Sequence, residues 1–233
     1  MSEVIISIEN LTKSYGNKTA LKNIDLNLSS GAIVGLCGPN GSGKTTLIKV
    51  LNGLLKKYSG EINIMGHKPD DFTRANISYL PDVSYLADWM SGKEIISLFS
   101  DLYADFDPVT MDELLSHMKI DKNSRIKTLS KGNKEKFQLA LVMSRRAKIY
   151  ILDEPIAGVD PAARDFILDT ILNNYNPEAL VLISTHLIQD VEKIFDSVIF
   201  LKEGEIVLFD EVDNIRQKEG RSIDELFREV FKC

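Results

Sequence analysis

The apolar run Ala32-Ile33-Val34-Gly35-Leu36-Cys37 leads straight into Gly38-Pro39-Asn40-Gly41-Ser42-Gly43-Lys44-Thr45, and this junction restricts the possible folds more than any other stretch of the chain. The eight residues fit G-x-x-x-x-G-K-[ST]. Glycines let such a loop curl and turn its N–H groups toward phosphate oxygens. Lys44 is placed to reach the β- and γ-phosphates and the Thr45 hydroxyl to ligate Mg²⁺; Gly38 to Thr46 are the expected nucleotide-binding residues. The mechanism needs a buried strand before the loop and an apolar-striped helix after it. Ala32–Cys37 is strand-sized, and Thr45–Leu55 puts Leu47, Val50, Leu51, Leu54 and Leu55 on one helical face.

A second constellation follows a second apolar run. Ile149-Tyr150-Ile151-Leu152 ends in Asp153-Glu154. On a strand beside the phosphate loop, Asp153 would reach the metal, directly or through water. Glu154 would sit where a water attacks the γ-phosphate, orienting it and accepting its proton.

The rest of the chain divides by texture. Val4–Glu9 and Ile24–Leu28 alternate as half-buried strands, and Gly60–Met65 and Ile77–Leu80 read as further strands. Ser91–Arg146 turns helical in period, with Ile95, Ile96, Phe99 and Leu102 and then Leu114, Leu115 and Met118 as apolar sets. Strand Ile149–Leu152, helix Pro161–Asn174, strand Leu180–Ser184, helix Leu187–Phe195, a hairpin at Glu203-Gly204 and an amphipathic helix over Ser222–Phe231 complete the reading. It predicts an α/β core carrying an all-helical insertion over about 83–145, with 1–215 as one domain and 216–233 as a tail helix.

No apolar run approaches the roughly 18 residues of a membrane span, and no signal peptide is readable at the N-terminus. The net charge of −6 argues against a nucleic-acid platform. Cys37 and Cys233 match no metal or redox spacing; Cys37 reads as a small buried apolar residue and Cys233 as a free thiol on a mobile end. His67 and His117 have no motif around them.

Four further segments complete a pattern. Leu129-Ser130-Lys131-Gly132-Asn133 precedes an expected helix Lys134–Arg146, Ala157-Gly158-Val159-Asp160 follows the acid pair, His186 follows Ser184-Thr185, and Tyr15 follows the first strand. In this order the chain resembles the ATP-binding cassette family over nearly its whole length. That resemblance implies a RecA-like P-loop NTPase core with an antiparallel β subdomain and the inserted helical subdomain. It implies an Mg-dependent ATPase with ATP and Mg²⁺ as cofactors. Tyr15 stacks on adenine, and Ser130, Gly132 and Asn133 contact ATP bound by the partner subunit. Asp160 links the two sites across the dimer, and His186 contacts the γ-phosphate and holds Glu154 and the water. The chain is then the motor of a transporter at the cytoplasmic face of the membrane, a homodimer or a heterodimer with a second cassette, driving a separate permease. The short tail favours an exporter. A soluble non-transport cassette ATPase and a low-turnover regulatory cassette are the alternatives.

Two positions depart from the family pattern. Asp82 stands where glutamine is usual; it can reach Mg²⁺ through a water or be a simple loop acid. Lys131 replaces a glycine of the signature, either adding charge near the partner's phosphate or pointing to solvent, and Asn133 replaces a glutamine. Both departures resemble a bacterial exporter-type subgroup.

Overall fold

The computed structural model describes residues 3–232; Cys233 lies outside them. Two sheets form the frame. Strands β1 (Val4–Tyr15), β2 (Lys18–Ser29) and β4 (Ser59–Ile64) make an antiparallel sheet in the order β2-β1-β4. Strands β3 (Ala32–Cys37), β5 (Ile77–Leu80), β6 (Ile149–Asp153), β7 (Leu180–Thr185), β8 (Ser197–Lys202) and β9 (Glu205–Glu211) make a second sheet in the order β5-β6-β7-β3-β8-β9. All its pairings are parallel except β8–β9.

Strands β3, β6 and β7 are apolar throughout because both faces of the sheet are covered. Strand alternation sends Val34, Leu36, Ile149, Ile151, Leu180 and Leu182 to a core shared with the antiparallel sheet and helix α1 (Lys44–Leu51). Their neighbours Cys37, Tyr150, Leu152, Val181 and Ile183 face the opposite core, built on helices α5 (Lys131–Met143), α6 (Pro161–Asn174) and α7 (Ile188–Val191). Cys37 is fully buried and burial pushes its thiol pKa up, so it is an inert packing group.

Helix α1 is shorter than its apolar stripe suggests. Gly53 adopts φ +66° just past the cap, its N–H donates to Val50 O and that of Leu54 to Lys49 O. This Schellman closure stops the helix at Leu51, leaving Leu54 exposed. Signature helix α5 begins earlier than expected, at Lys131, because Ser130 is its N-cap and accepts from Asn133 N at 3.3 Å. The helix expected over Leu187–Phe195 is only one turn, α7, continued by a 3₁₀ turn at Glu192–Ile194.

Between β5 and β6 lie α3 (Gly92–Leu102), α4 (Pro108–Met118) and α5, with no strand among them. Ser91 and Glu94 form a capping box on α3, and Asp107 caps α4 ahead of Pro108. Arg145, 2% exposed, ties this helical part to the core. It donates to Ile77 O at 2.6 Å, pairs with Asp105 at 2.9 Å and stacks on Tyr103 at 3.8 Å. Two short helices stand where the sequence predicts none: α2 (Asp71–Asn76), which opens with an Asp70/Thr73 capping box, and α8 (Val212–Glu219). The boundary expected between 215 and 216 falls inside α8, and the last helix, α9 (Ile223–Val230), packs Phe227 edge-on against Phe200.

Candidate nucleotide site

The loop Gly38–Gly43 joins the C-terminal end of β3 to the N-terminus of α1, so its N–H groups and the helix dipole face the same side. It is braced from behind: Gly204 N donates to Ser42 O at 2.8 Å and Ser42 N to Pro39 O at 3.2 Å. Gly43 has φ +117°, and a Cβ there would lie 2.7 Å from the Ala20 carbonyl oxygen, so only glycine fits.

Strand periodicity decides where the first acid goes. Asp153 continues the Ile149–Ile151 row and so emerges on the α1 face, 1% exposed. Its register partner Ser184 on β7 donates to Asp153 Oδ1 at 2.5 Å. The other oxygen, Oδ2, is buried with no partner among the described residues. Burial pushes the Asp153 carboxyl pKa up; the Ser184 hydrogen bond pulls it down, Asp82 raises it again and the Thr45 hydroxyl lowers it.

Glu154 has left-handed backbone, φ +53°, an uncommon state for a residue with a side chain. Its N–H is held by Ser184 O at 3.1 Å and Ser184 Oγ at 3.0 Å. The turn lets consecutive carboxylates serve one site instead of opposite sheet faces. Glu154 Oε1 lies 3.3 Å from Lys44 Nζ, and Oε2 accepts from His186 Nδ1 at 2.9 Å. Lys44 also donates to Gly38 O at 2.6 Å and Pro39 O at 3.4 Å. Lys44, Glu154 and His186 therefore form one continuous polar chain.

An open cleft of about 550 Å³ runs along these groups, bounded by Asn40, Gly41, Lys44, Thr45, Thr46 and Glu154. Tyr15, half exposed, closes one end, with Lys13 Nζ 4.9 Å from its ring centroid. Asp82 reaches the cleft from its exposed loop. Lys18, Lys22 and Glu203 also border it. They come from β2 and the β8–β9 turn, which only the tertiary fold brings to the loop.

Ser130, Gly132 and Asn133 stay at the start of α5, outside this cleft, and Asp160 caps α6 by accepting from Ala163 N at 3.3 Å. Lys131 is 85% exposed and 3.8 Å from Glu135.

Among the described residues no cluster of three or more His, Cys, Asp or Glu side chains forms a metal cage. The oxygen donors that converge are the Thr45 hydroxyl and the orphaned Asp153 Oδ2, a set that suits a hard cation arriving with a polyphosphate. No helix among the described residues is long and apolar enough to cross a membrane.

A phosphate loop between a central parallel strand and its helix, with an acid pair ending a nearby strand, defines a P-loop nucleotide-binding protein. The ABC transporter family model matches residues 21–157, and the chain belongs to that family as an ATP-binding subunit. It is 35% identical over 212 residues to the uncharacterized ABC transporter ATP-binding protein YdbJ of Bacillus subtilis, covering 88% of this chain and 69% of that one. It is 31% identical to the lantibiotic transport ATP-binding protein SrtF of Streptococcus pyogenes, covering 96% of each. A solved ATP-binding subunit of an ABC transporter superposes with a TM-score of 0.87 at 28% identity, over 97% of this chain and 99% of that one.

Proposed function

We propose that this chain is the Mg-dependent ATPase motor of an exporter, acting as a head-to-tail dimer on a separate membrane-spanning permease. The observation that carries the reading is the Lys44–Glu154–His186 chain beside Asp153. Lys44 is poised to exchange Glu154 for γ-phosphate oxygens as a triphosphate enters the loop. The exchange frees Glu154 to orient a water and accept its proton, with His186 holding the carboxylate in place. Mg²⁺ held by Thr45 and Asp153 would supply charge neutralisation on the phosphates. Tyr15 offers its ring to the adenine. Because Ser130, Gly132 and Asn133 lie outside their own cleft, they serve the nucleotide of a second subunit, and Asp160 joins the two halves. The helical subdomain spans about 83–145 within the cassette, and the C-terminal helices α8 and α9 pack into the same core rather than forming a separate tail.

Peripheral attachment at the cytoplasmic face rests on an apolar groove of about 380 Å³ between core and helical subdomain. Its rim exposes Leu54, Tyr85, Leu98 and Leu102, large side chains that suit a helix of the permease. The name of the lantibiotic-transport relative favours export. The test is purification of the tagged chain from solubilised native membranes, with phosphate release measured on the product. Co-purification of a polytopic membrane protein together with Mg-dependent turnover supports the reading. Soluble partners alone, or no turnover, would overturn it.

A further inference from the structure

Tyr79 carries a polar group that the phosphate chemistry above does not use. It lies on β5 in register with Ile151, and strand alternation puts Tyr79, Ile151 and Asp153 on the same sheet face. The ring packs into the core around α1 and also borders the permease-facing groove. The hydroxyl is buried and has no hydrogen-bond partner among the described residues. Asp153 Oδ2 is in the same condition, and Asp153 and Asp82 are the charges that act on Tyr79. Burial and these two carboxylates push the phenol pKa up, so the group stays a donor.

A buried donor and a buried acceptor at diagonal positions of neighbouring strands, not bonded to each other, each destabilise the protein if left so. A water between them would satisfy both, and Asp82, which lines the same cavity as Asp153, would be its third partner, within the two to four bonds a buried water ordinarily makes.

We propose that Tyr79 is a positioning residue of the metal site, its hydroxyl holding Asp153 Oδ2 and Asp82 through one shared buried water so that both carboxylates face the metal. This role rests on the Mg-ATPase reading above. It gives Asp82 a defined place, as the acid that completes the water's shell. It also makes Tyr79 a side chain that borders the apolar groove and reaches the metal carboxylates through that water.

Tyr79→Phe keeps the ring and removes only the hydroxyl. Mn²⁺ affinity in the presence of a non-hydrolysable ATP analogue, read by electron paramagnetic resonance, is expected to weaken about tenfold, as for loss of one hydrogen bond to a charged acceptor. The Mg²⁺ needed for half-maximal turnover should rise in parallel. Analogue affinity in EDTA and the melting temperature should hold or, for the latter, rise. Combined with Asp82→Asn the effect on Mn²⁺ should not add, because both variants disturb one water. Wild-type-like Mn²⁺ affinity in Tyr79→Phe, or additive effects, would overturn the proposal, as would a lowered melting temperature with intact metal binding. Absence of turnover in the wild type, with Mn²⁺ still bound and still sensitive to Tyr79→Phe, would instead count against the motor reading alone. A wild type that binds no Mn²⁺ with the analogue would overturn both.

Discussion

Replacing Asp153 with Asn should make the nucleotide-free protein more stable and the Mg-ATP-bound protein less stable than wild type. The native carboxylate is 1% exposed, with one oxygen satisfied by Ser184 and the other unpaired among the described residues. Asp82 and Glu154 add like charge beside it. A buried carboxylate beside two like charges is destabilising even where its oxygens are hydrogen-bonded. Asparagine keeps the acceptor for Ser184 and loses the charge, so a net gain of about 1–2 kcal/mol is expected. For a domain of this size that is a melting-temperature rise of about 2–8 °C. The pH dependence has a defined sign. Asp153 has a raised pKa in the folded state, so the folded protein holds this proton more tightly than the unfolded chain does. The penalty is absent below the unfolded pKa and develops as pH rises through the folded one, so the gap between variant and wild type closes on acidification. Saturating Mg-ATP should reverse the order, since ligand at a hundred times its Kd adds about 2.7 kcal/mol to the form that binds it. The assay is calorimetry in EDTA and then in Mg-ATP, on a variant that cannot hydrolyse. A nucleotide-free Asp153→Asn protein melting below wild type would refute the account of Asp153 as a strained, cation-seeking carboxylate.

Glu154→Gln should lower phosphate release at least about a hundredfold, the usual contribution of a general base, while ATP-induced dimers persist in size-exclusion chromatography; wild-type turnover would remove Glu154 from that role. Gly43→Ala places a Cβ 2.7 Å from a backbone oxygen at φ +117°, so analogue affinity in a titration should fall at least about tenfold, the order of the strain involved. Arg145→Met would leave Asp105 and the Ile77 and Ala75 carbonyls without their donor; urea unfolding should show a loss of about 3 kcal/mol.

Much of the molecule was legible in the chain because its signals are local. The phosphate loop announces itself since glycine, lysine and threonine must stand at set spacings around a curled backbone. Strand β3 matches its apolar run because a buried parallel strand needs no polar face, and β5 matches the stretch Ile77–Leu80. Helix α6 spans Pro161–Asn174 as expected, with Asp160 before it as the N-cap. Where reading went astray, a local signal was outranked or faint. The apolar stripe of α1 continued to Leu55, yet Gly53 ended the helix by taking the left-handed conformation it alone adopts freely. Helix α2 has a capping box but only six residues, and α8 is mostly polar and buries only Val212 and Ile215.

What the sequence by itself determined is the inventory: a loop able to bind phosphate, an acid pair at a strand end, a histidine after another strand, and a helical segment between strands. Which groups meet was decided by tertiary structure. Parallel pairing of β6 with β7 sets Ser184 beside Asp153, and the left-handed turn at Glu154 brings both acids to one side of the sheet. The β8–β9 turn braces the loop through Gly204, more than 150 residues away. The burial that leaves the Tyr79 hydroxyl and one oxygen of Asp153 without a protein partner among the described residues arises only when α1 and the antiparallel sheet close over that face. Desolvation and register depend on neighbours distant in the chain, and no local pattern encodes them.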